Sequence, residues 1–264
     1  MSTSNPHIAL EARDLGIGYS AKKVQNYILK GIRFSILQGE LAAIVGINGV
    51  GKSTLLRTLG RVQRKLAGSI WVNNIPLEHH TPLELASKIS IVLTEPIASK
   101  NLTVRELIAL GRQPYTNWLG TLSPDDASKI KNAIAMVGLE ALQYKKCYEL
   151  SDGQLQKVMI ARALAQDTSL ILLDEPTTHL DLYHKVHILK LLKFIAHETG
   201  KTILFTTHEI DMAIQLCDKM VLLDQKGNTF GTPGELIQQK HFEGLFPPDT
   251  IRFDPDTASF KVNK

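Results

Sequence analysis

Apolar runs rich in Ile, Leu and Val at residues 8–12, 32–36, 41–45, 70–72, 89–93, 170–173, 203–206 and 220–223 are bounded by polar or turn-forming residues, and each predicts a β-strand. The runs beginning at 41, 89, 170 and 203 are apolar at nearly every position instead of alternating. A strand with one face in water alternates; a strand covered on both faces by crossover helices does not. These four therefore predict strands of a parallel sheet in an α/β fold. From residue 102 to about 147 the spacing turns helical, broken at Gly111, Pro114, Gly120 and Pro124, with no strand-like run. This predicts a helical subdomain, about residues 97–166, inserted in the core. After residue 223 the chain is turn-rich, at 225–227, 231–234 and 246–249, and the tail (about 225–264) predicts a helix and small strands. The whole, 1–264, reads as one domain.

Composition narrows the picture by exclusion. With 44% hydrophobic and 21% charged residues, the chain can bury a sizeable core, so disorder of the whole is excluded. Its formal charge of +4 is spread along the chain without a basic block or stripe, which argues against a nucleic-acid partner. Cys147 and Cys217 have neither CxxC spacing nor neighbouring histidines; no disulfide framework or zinc site is expected, and a reduced, cytosolic setting fits. Residues 1–14 lack the basic start and apolar core of a secretory signal, and include Glu11 and Asp14. The apolar runs fall far short of the roughly 18–20 residues of a membrane helix, so work at a membrane would need spans from another chain.

Directly after the run 41–45 comes Gly46-Ile-Asn48-Gly49-Val-Gly51-Lys52-Ser53-Thr54, followed by the helical pattern LLRTLG. Glycines between a strand and a helix let backbone N–H groups converge on phosphate oxygens, and the positive end of the helix adds to them. Lys52 then reaches the β- and γ-phosphates and the Ser53 hydroxyl ligates Mg²⁺. Nucleotide binding follows, although the motif alone leaves GTPases, kinases and many ATPases open.

The run 170–173 ends in Asp174-Glu175-Pro176, placing two acids where open parallel sheets present ligand-binding groups. Asp174 suits Mg²⁺, directly or through water, and Glu175 suits a general base for an attacking water. The run 203–206 leads to Thr207 and His208, which puts an imidazole on the same edge. In the LSDGQ segment, 150–154, Ser151 reads as the N-cap of an amphipathic helix with free N–H groups pointing outward; by itself this is a well-capped helix.

With these pieces in this order, the chain resembles the nucleotide-binding subunits of ATP-binding-cassette (ABC) transporters over nearly its whole length. The resemblance implies a P-loop NTPase core of α/β class, with an N-terminal antiparallel β region and an inserted helical subdomain carrying the signature. It places Walker A at 46–54, the signature at 150–154, Walker B at 170–174 and the D-loop at 177–181, the last ending in Asp181. Catalysis would fall to Glu175, the switch histidine His208, and Lys52. ATP would be held by Gly46, Asn48, Gly49, Gly51, Lys52, Ser53 and Thr54, by Tyr19 stacked on adenine, and by Ser151, Gly153, Gln154 and Asp181. Mg²⁺ would be held by Ser53 and Asp174, with Thr94 at the Q-loop position. The resemblance further implies pairing with a second ATP-binding subunit, a homodimer by default, so that one subunit's signature faces the other's phosphates. It also implies transmembrane permease subunits, an indirectly coupled substrate-binding protein, and a peripheral site on the cytoplasmic face of the membrane.

Two departures stand out. The signature has Asp152 where Gly is commonest, adding a negative charge near a phosphate. The Q-loop glutamine is replaced: after the run 89–93 come Thr94, Glu95 and Pro96, and either Thr94 or Glu95 could take its place. The segments DEPTTHLDLYHKVHILKLL, Leu102-Thr103-Val104 and Leu110 to Tyr115 look most like subunits of importers for iron-siderophore complexes, haem or cobalamin. The contrasting expectation, a soluble cassette protein acting on ribosomes or DNA, calls for a second cassette or a long coiled coil, and this chain has neither.

Overall fold

From the N-terminus the chain forms β1 (Ile8–Ala21), β2 (Val24–Leu37), β3 (Leu41–Val45), α1 (Lys52–Leu59), β4 (Ala67–Val72), β5 (Ile75–Pro76), α2 (Pro82–Ala86) and β6 (Ile89–Val92). Next come α3 (Val104–Ala109), α4 (Pro124–Met136), α5 (Asp152–Ala165), β7 (Leu170–Leu173), α6 (Leu182–Thr199), β8 (Thr202–Thr206) and α7 (Ile210–Leu216). The chain closes with β9 (Lys219–Asp224), β10 (Gly227–Gly231), α8 (Pro233–Gln238), β11 (Ile251–Asp254) and β12 (Ser259–Val262). The computed structural model describes residues 7–21, 24–95, 100–247 and 249–263. Pro96 and the expected subdomain start at 97 lie outside the described residues.

Six strands form the main sheet in the order β10-β9-β3-β8-β7-β6, parallel except for β10. Strands β3, β8 and β7 are buried at every residue, and their alternate residues serve two cores. Leu41, Ala43 and Val45 of β3 face a core shared with helices α3 to α7, while Ala42 and Ile44 face a second core beneath β1 and β2. That division is why these strands read as unbroken apolar runs. Over the second core lies an antiparallel sheet, β2-β1-β4-β5, and α1 is packed between the sheets through Leu55, Leu56 and Leu59.

Strand lengths differ from the sequence reading on the half-exposed sheet. The expected strands 8–12 and 32–36 are the cores of two 14-residue strands. Register shifts at Ala12/Leu15 and Leu15/Ile17 break the period-2 pattern that would have marked the rest. The expected turns 225–227 and 231–234 flank β10, whose hairpin with β9 is closed by Asp224 Oδ1 accepting from the N–H groups of Lys226 (2.7 Å) and Gly227 (2.9 Å).

Helices α3 to α5 lie between β6 and β7 and are tied together by a buried ion pair. Arg112 Nε donates to Asp126 Oδ1 at 2.7 Å and Arg112 Nη1 to the Ala165 carbonyl at 2.8 Å, with the Tyr115 ring 4.0 Å from the guanidinium. Hydrogen bonds from Ser123, then from Arg112, hold the Asp126 carboxyl down at about 2. In the tail, Phe242, Phe253 and Phe260 stack within 4.9–6.4 Å of one another against the helical core. Among the described residues no helix is long and apolar enough to cross a membrane.

Candidate active site

The register of the main sheet decides what meets at its carboxyl edge. Ile44 lies opposite Thr206, and Leu173 opposite Phe205. The residues following β3, β7 and β8 therefore emerge side by side, as expected of ligand-binding groups on an open parallel sheet.

The phosphate loop leaves β3 at Gly46 and enters α1 at Lys52. Gly46 has φ 153° and passes so close to β9 that a Cβ would lie 2.6 Å from the Leu223 carbonyl; Gly51, at φ 113°, caps α1 in a conformation that L side chains rarely adopt. Lys52 is buried beneath the loop. Its Nζ donates to the carbonyls of Gly46 (2.9 Å) and Ile47 (3.2 Å) and to Nδ1 of His208 (3.3 Å). An ammonium only donates, so Nδ1 accepts and the ring hydrogen sits on Nε2, which donates to Glu175 Oε1. Burial pushes the Lys52 ammonium below its ordinary pKa, against the opposing pull of Glu175 and Asp174.

Asp174 Oδ1 accepts from the hydroxyls of Ser53 (2.9 Å) and Thr206 (2.7 Å). Thr206 Oγ1 in turn accepts from the Glu175 backbone N–H at 2.8 Å. Glu175 has φ 48°, a turn conformation uncommon for a residue with a side chain, and its Oε2 accepts from Thr178 Oγ1 at 3.0 Å. The result is one connected network in which Lys52, Ser53, Asp174, Glu175 and His208 are each fixed by a named partner.

The other residues singled out in the sequence lie outside that network. Tyr19 is near the end of β1, opposite Asn26, and 57% exposed. Ser151 caps α5 through a reciprocal pair: its Oγ accepts from Gln154 N–H (3.3 Å) and its own N–H donates to Gln154 Oε1 (3.1 Å). Gly153 is in the first turn of α5, and Asp181 caps α6. Asn48 and Gly49 form the outer turn of the phosphate loop, and Thr54 is buried in α1, its carbonyl accepting from Thr58 Oγ1. Thr94 and Glu95 line a cavity of about 310 Å³ together with Asp152, Asp174 and Glu175. The Glu95 carboxylate is paired with Arg57 of α1 at 3.0 Å. Thr206 and Thr178 were not singled out from sequence. The adjacency of two strand ends, each bearing polar residues, was the only available signal for Thr206.

A phosphate loop facing a paired Asp-Glu and a histidine across parallel strand ends defines a P-loop nucleotide hydrolase. Residues 29–178 match the ABC transporter family. The iron(3+)-hydroxamate import ATP-binding protein FhuC of Bacillus subtilis is 36% identical over 252 residues, covering 94% of this chain and 92% of its own length. The achromobactin transport ATP-binding protein CbrD of Dickeya dadantii is 34% identical over 249 residues, covering 94% and 91%. A solved dimeric cassette in a post-hydrolysis state, bound to ADP and Pi, superposes with a TM-score of 0.72 at 28% identity, covering 85% of this chain and 98% of that one. The chain belongs to the ABC transporter family and is an ATP-hydrolysing cassette of it.

Proposed function

We propose that this cassette powers an importer of iron-siderophore complexes, acting as one of two identical subunits beneath a transmembrane permease at the cytoplasmic face of the membrane. The observation that carries the hydrolytic part is the Glu175 carboxylate, held by His208 and Thr178 beside the Asp174–Ser53 pair. The importer part is supported by near full-length likeness to proteins named for iron(3+)-hydroxamate import and achromobactin transport. Haem and cobalamin are cargoes served by subunits of the same style.

Lys52 exchanges the Gly46 and Ile47 carbonyls for the β- and γ-phosphates, whose remaining oxygens take the N–H groups of residues 46–54. Tyr19 stacks on the adenine. Ser53 and Asp174 offer two hard oxygen donors on one side of the loop, the kind of set Mg²⁺ accepts alongside phosphates and water, and the Thr94 hydroxyl would add a third. The metal, when bound, neutralises charge on the β- and γ-oxygens. Glu175 orients the attacking water and takes its proton, while the Nε2–H of His208 fixes the carboxylate in place. Ser151, Gly153 and Gln154 of each copy, at the positive end of α5, stabilise the γ-phosphate charge in the other, with Asp181 alongside.

Glu175→Gln keeps the hydrogen-bond shape but removes the base. With ATP it should convert the chain to a stable dimer by light scattering, and mild-detergent extracts should yield it with a polytopic permease. A variant that stays monomeric at saturating ATP, or that turns ATP over rapidly, would refute the site assignment. Recovery with ribosomal or DNA-repair proteins and no permease would overturn the importer.

A further inference from the structure

His184 belongs to no part of the hydrolytic network, yet it touches two segments that the chemistry uses separately. The Asp181 carboxylate, capping α6, accepts at one oxygen from both the backbone N–H and Nδ1 of His184, each at 2.8 Å. A carboxylate only accepts, so the ring carries its hydrogen on Nδ1 and is oriented by that bond. The same ring covers Gly153 in the first turn of α5. A Cβ at Gly153 would lie 2.7 Å from His184 Cδ2 and 3.3 Å from Cγ, so any side chain there would displace the ring. Tyr183 packs edge-on against the ring, with centroids 5.5 Å apart.

The hydrogen bonds between Ser151 and Gln154 are internal to their turn, so they set its shape and not its placement. Placement comes from what the turn leans on, and at Gly153 that is His184. From His184 the path runs back through Asp181 and a series of tight turns, Leu180 N–H to Thr177 O at 3.3 Å and Thr178 N–H to Glu175 O at 3.2 Å, to the catalytic carboxylate.

We infer that His184 is a positioning residue that locks the 151–154 turn to the start of α6, so that this turn moves as one body with the segment carrying Glu175. The inference rests on the reading that 151–154 faces the nucleotide of a second copy. In such a pair the turn acts on one nucleotide and Glu175 on the other, so His184 couples the two sites.

The test is an ATP titration of dimer formation in the Glu175→Gln background, with monomer nucleotide affinity and melting temperature measured in parallel. His184→Ala should raise the half-saturating ATP concentration for dimerisation roughly tenfold, about the loss of one hydrogen bond to a charged group, with monomer affinity unchanged within about twofold. His184→Asn, which keeps a donor for Asp181, and His184→Phe, which keeps a ring over Gly153, should each lie between. Gly153→Ala should impair dimerisation alone yet add nothing in the His184→Ala background, where the obstructing ring is gone. Normal dimerisation of His184→Ala, or an equal Gly153→Ala penalty in both backgrounds, would overturn the coupling and leave the proposed function standing. Parallel losses of melting temperature and monomer affinity would reduce His184 to a fold-stabilising role and overturn it too. Failure of Glu175→Gln itself to dimerise would remove the pairing on which the inference rests.

Discussion

Replacing Thr206 by Val removes a single hydroxyl from the most interior point of the site. Thr206 is fully buried; its Oγ1 donates to Asp174 at 2.7 Å and accepts from the Glu175 N–H at 2.8 Å. Valine has nearly the same shape, so no cavity forms and the effect isolates the polar contacts. Asp174 loses a hydrogen bond to a charged acceptor, about 1.5–3 kcal/mol, and the Glu175 N–H is left without its acceptor, about 1–3 kcal/mol. Because both contacts share one atom their losses overlap, and about 2–5 kcal/mol is expected in all. For a chain of this size that is a fall in Tm of roughly 4–20 °C. The catalytic effect follows from geometry. Glu175 sits at φ 48°, and the Thr206 bond is what pins its backbone in that turn. Once released, the carboxylate drifts from its place between His208 and Thr178; a misplacement of about 1 Å can cost as much as 100-fold in rate, so kcat should fall about 10- to 100-fold. ATP affinity should hold within about twofold, since Lys52 and the loop amides are untouched. Thermal melts, phosphate-release kinetics and nucleotide titrations read the three quantities separately, and Thr206→Ser, which keeps the hydroxyl, should restore kcat. A Thr206→Val protein with wild-type kcat or Tm would refute the reasoning.

Lys52→Ala should weaken ATP binding about 10- to 100-fold, the worth of one or two charge-assisted hydrogen bonds, in a fluorescent-nucleotide titration; unaltered affinity would remove Lys52 from the phosphate site. In the wild type, phosphate favours the charged ammonium that burial disfavours, so binding takes up protons and affinity should fall as pH rises through the depressed Lys52 pKa. Asp126→Asn leaves the Arg112 guanidinium buried without its counter-charge and should cost about 3–5 kcal/mol in urea unfolding at neutral pH. The Asp126 carboxyl is held at about 2 in the folded chain against 3.8 for an unperturbed group, so it contributes about 2 kcal/mol above pH 4, lost as pH falls through about 2. An acid-unfolding profile with the same slope in the Asn variant would show that another group carries the transition.

What the sequence made legible, and what it hid, divides by whether a residue's environment depends on neighbours in sequence or in space. Strands β3 and β7 were delimited to the residue because helices and a second sheet bury both their faces. β1 and β2 ran on past their apolar cores because bulges shift the alternation, and the two-residue β5 carries no periodic signal. Lys52, Ser53, Asp174, Glu175 and His208 stand at strand or helix ends within recognisable local patterns, and the fold draws them into contact. Thr206 matters only because the β7–β8 register sets it beside Asp174, and His184 only because α5 and α6 cross at Gly153. Neither relation is written in local spacing. At the altered Q-loop, Thr94 and Glu95 were equivalent by sequence; Arg57, one turn into α1 and remote in sequence, draws the carboxylate of Glu95 aside.

The charge balance of the network bears on which form of the nucleotide it accepts. Two carboxylates, Asp174 and Glu175, stand against one ammonium, and the neutral ring of His208 adds nothing to the positive side. A bare triphosphate entering such a site would meet net repulsion from groups that low-dielectric surroundings screen poorly. The loop amides and the positive end of α1 offset part of it. Asp174 remains the unbalanced charge: its hydrogen bonds to Ser53 and Thr206 orient it without neutralising it. On the proposed reading, a divalent cation carried in with the phosphates supplies that balance, and Ser53 and Asp174 already lie within 2.9 Å of each other to share it. The Glu175 carboxylate faces the His208 N–H, and Lys52 holds the other nitrogen of that ring. Lys52 is thus asked to serve the phosphates and the base together, and its burial between Gly46, Ile47 and His208 gives the ammonium reach to both.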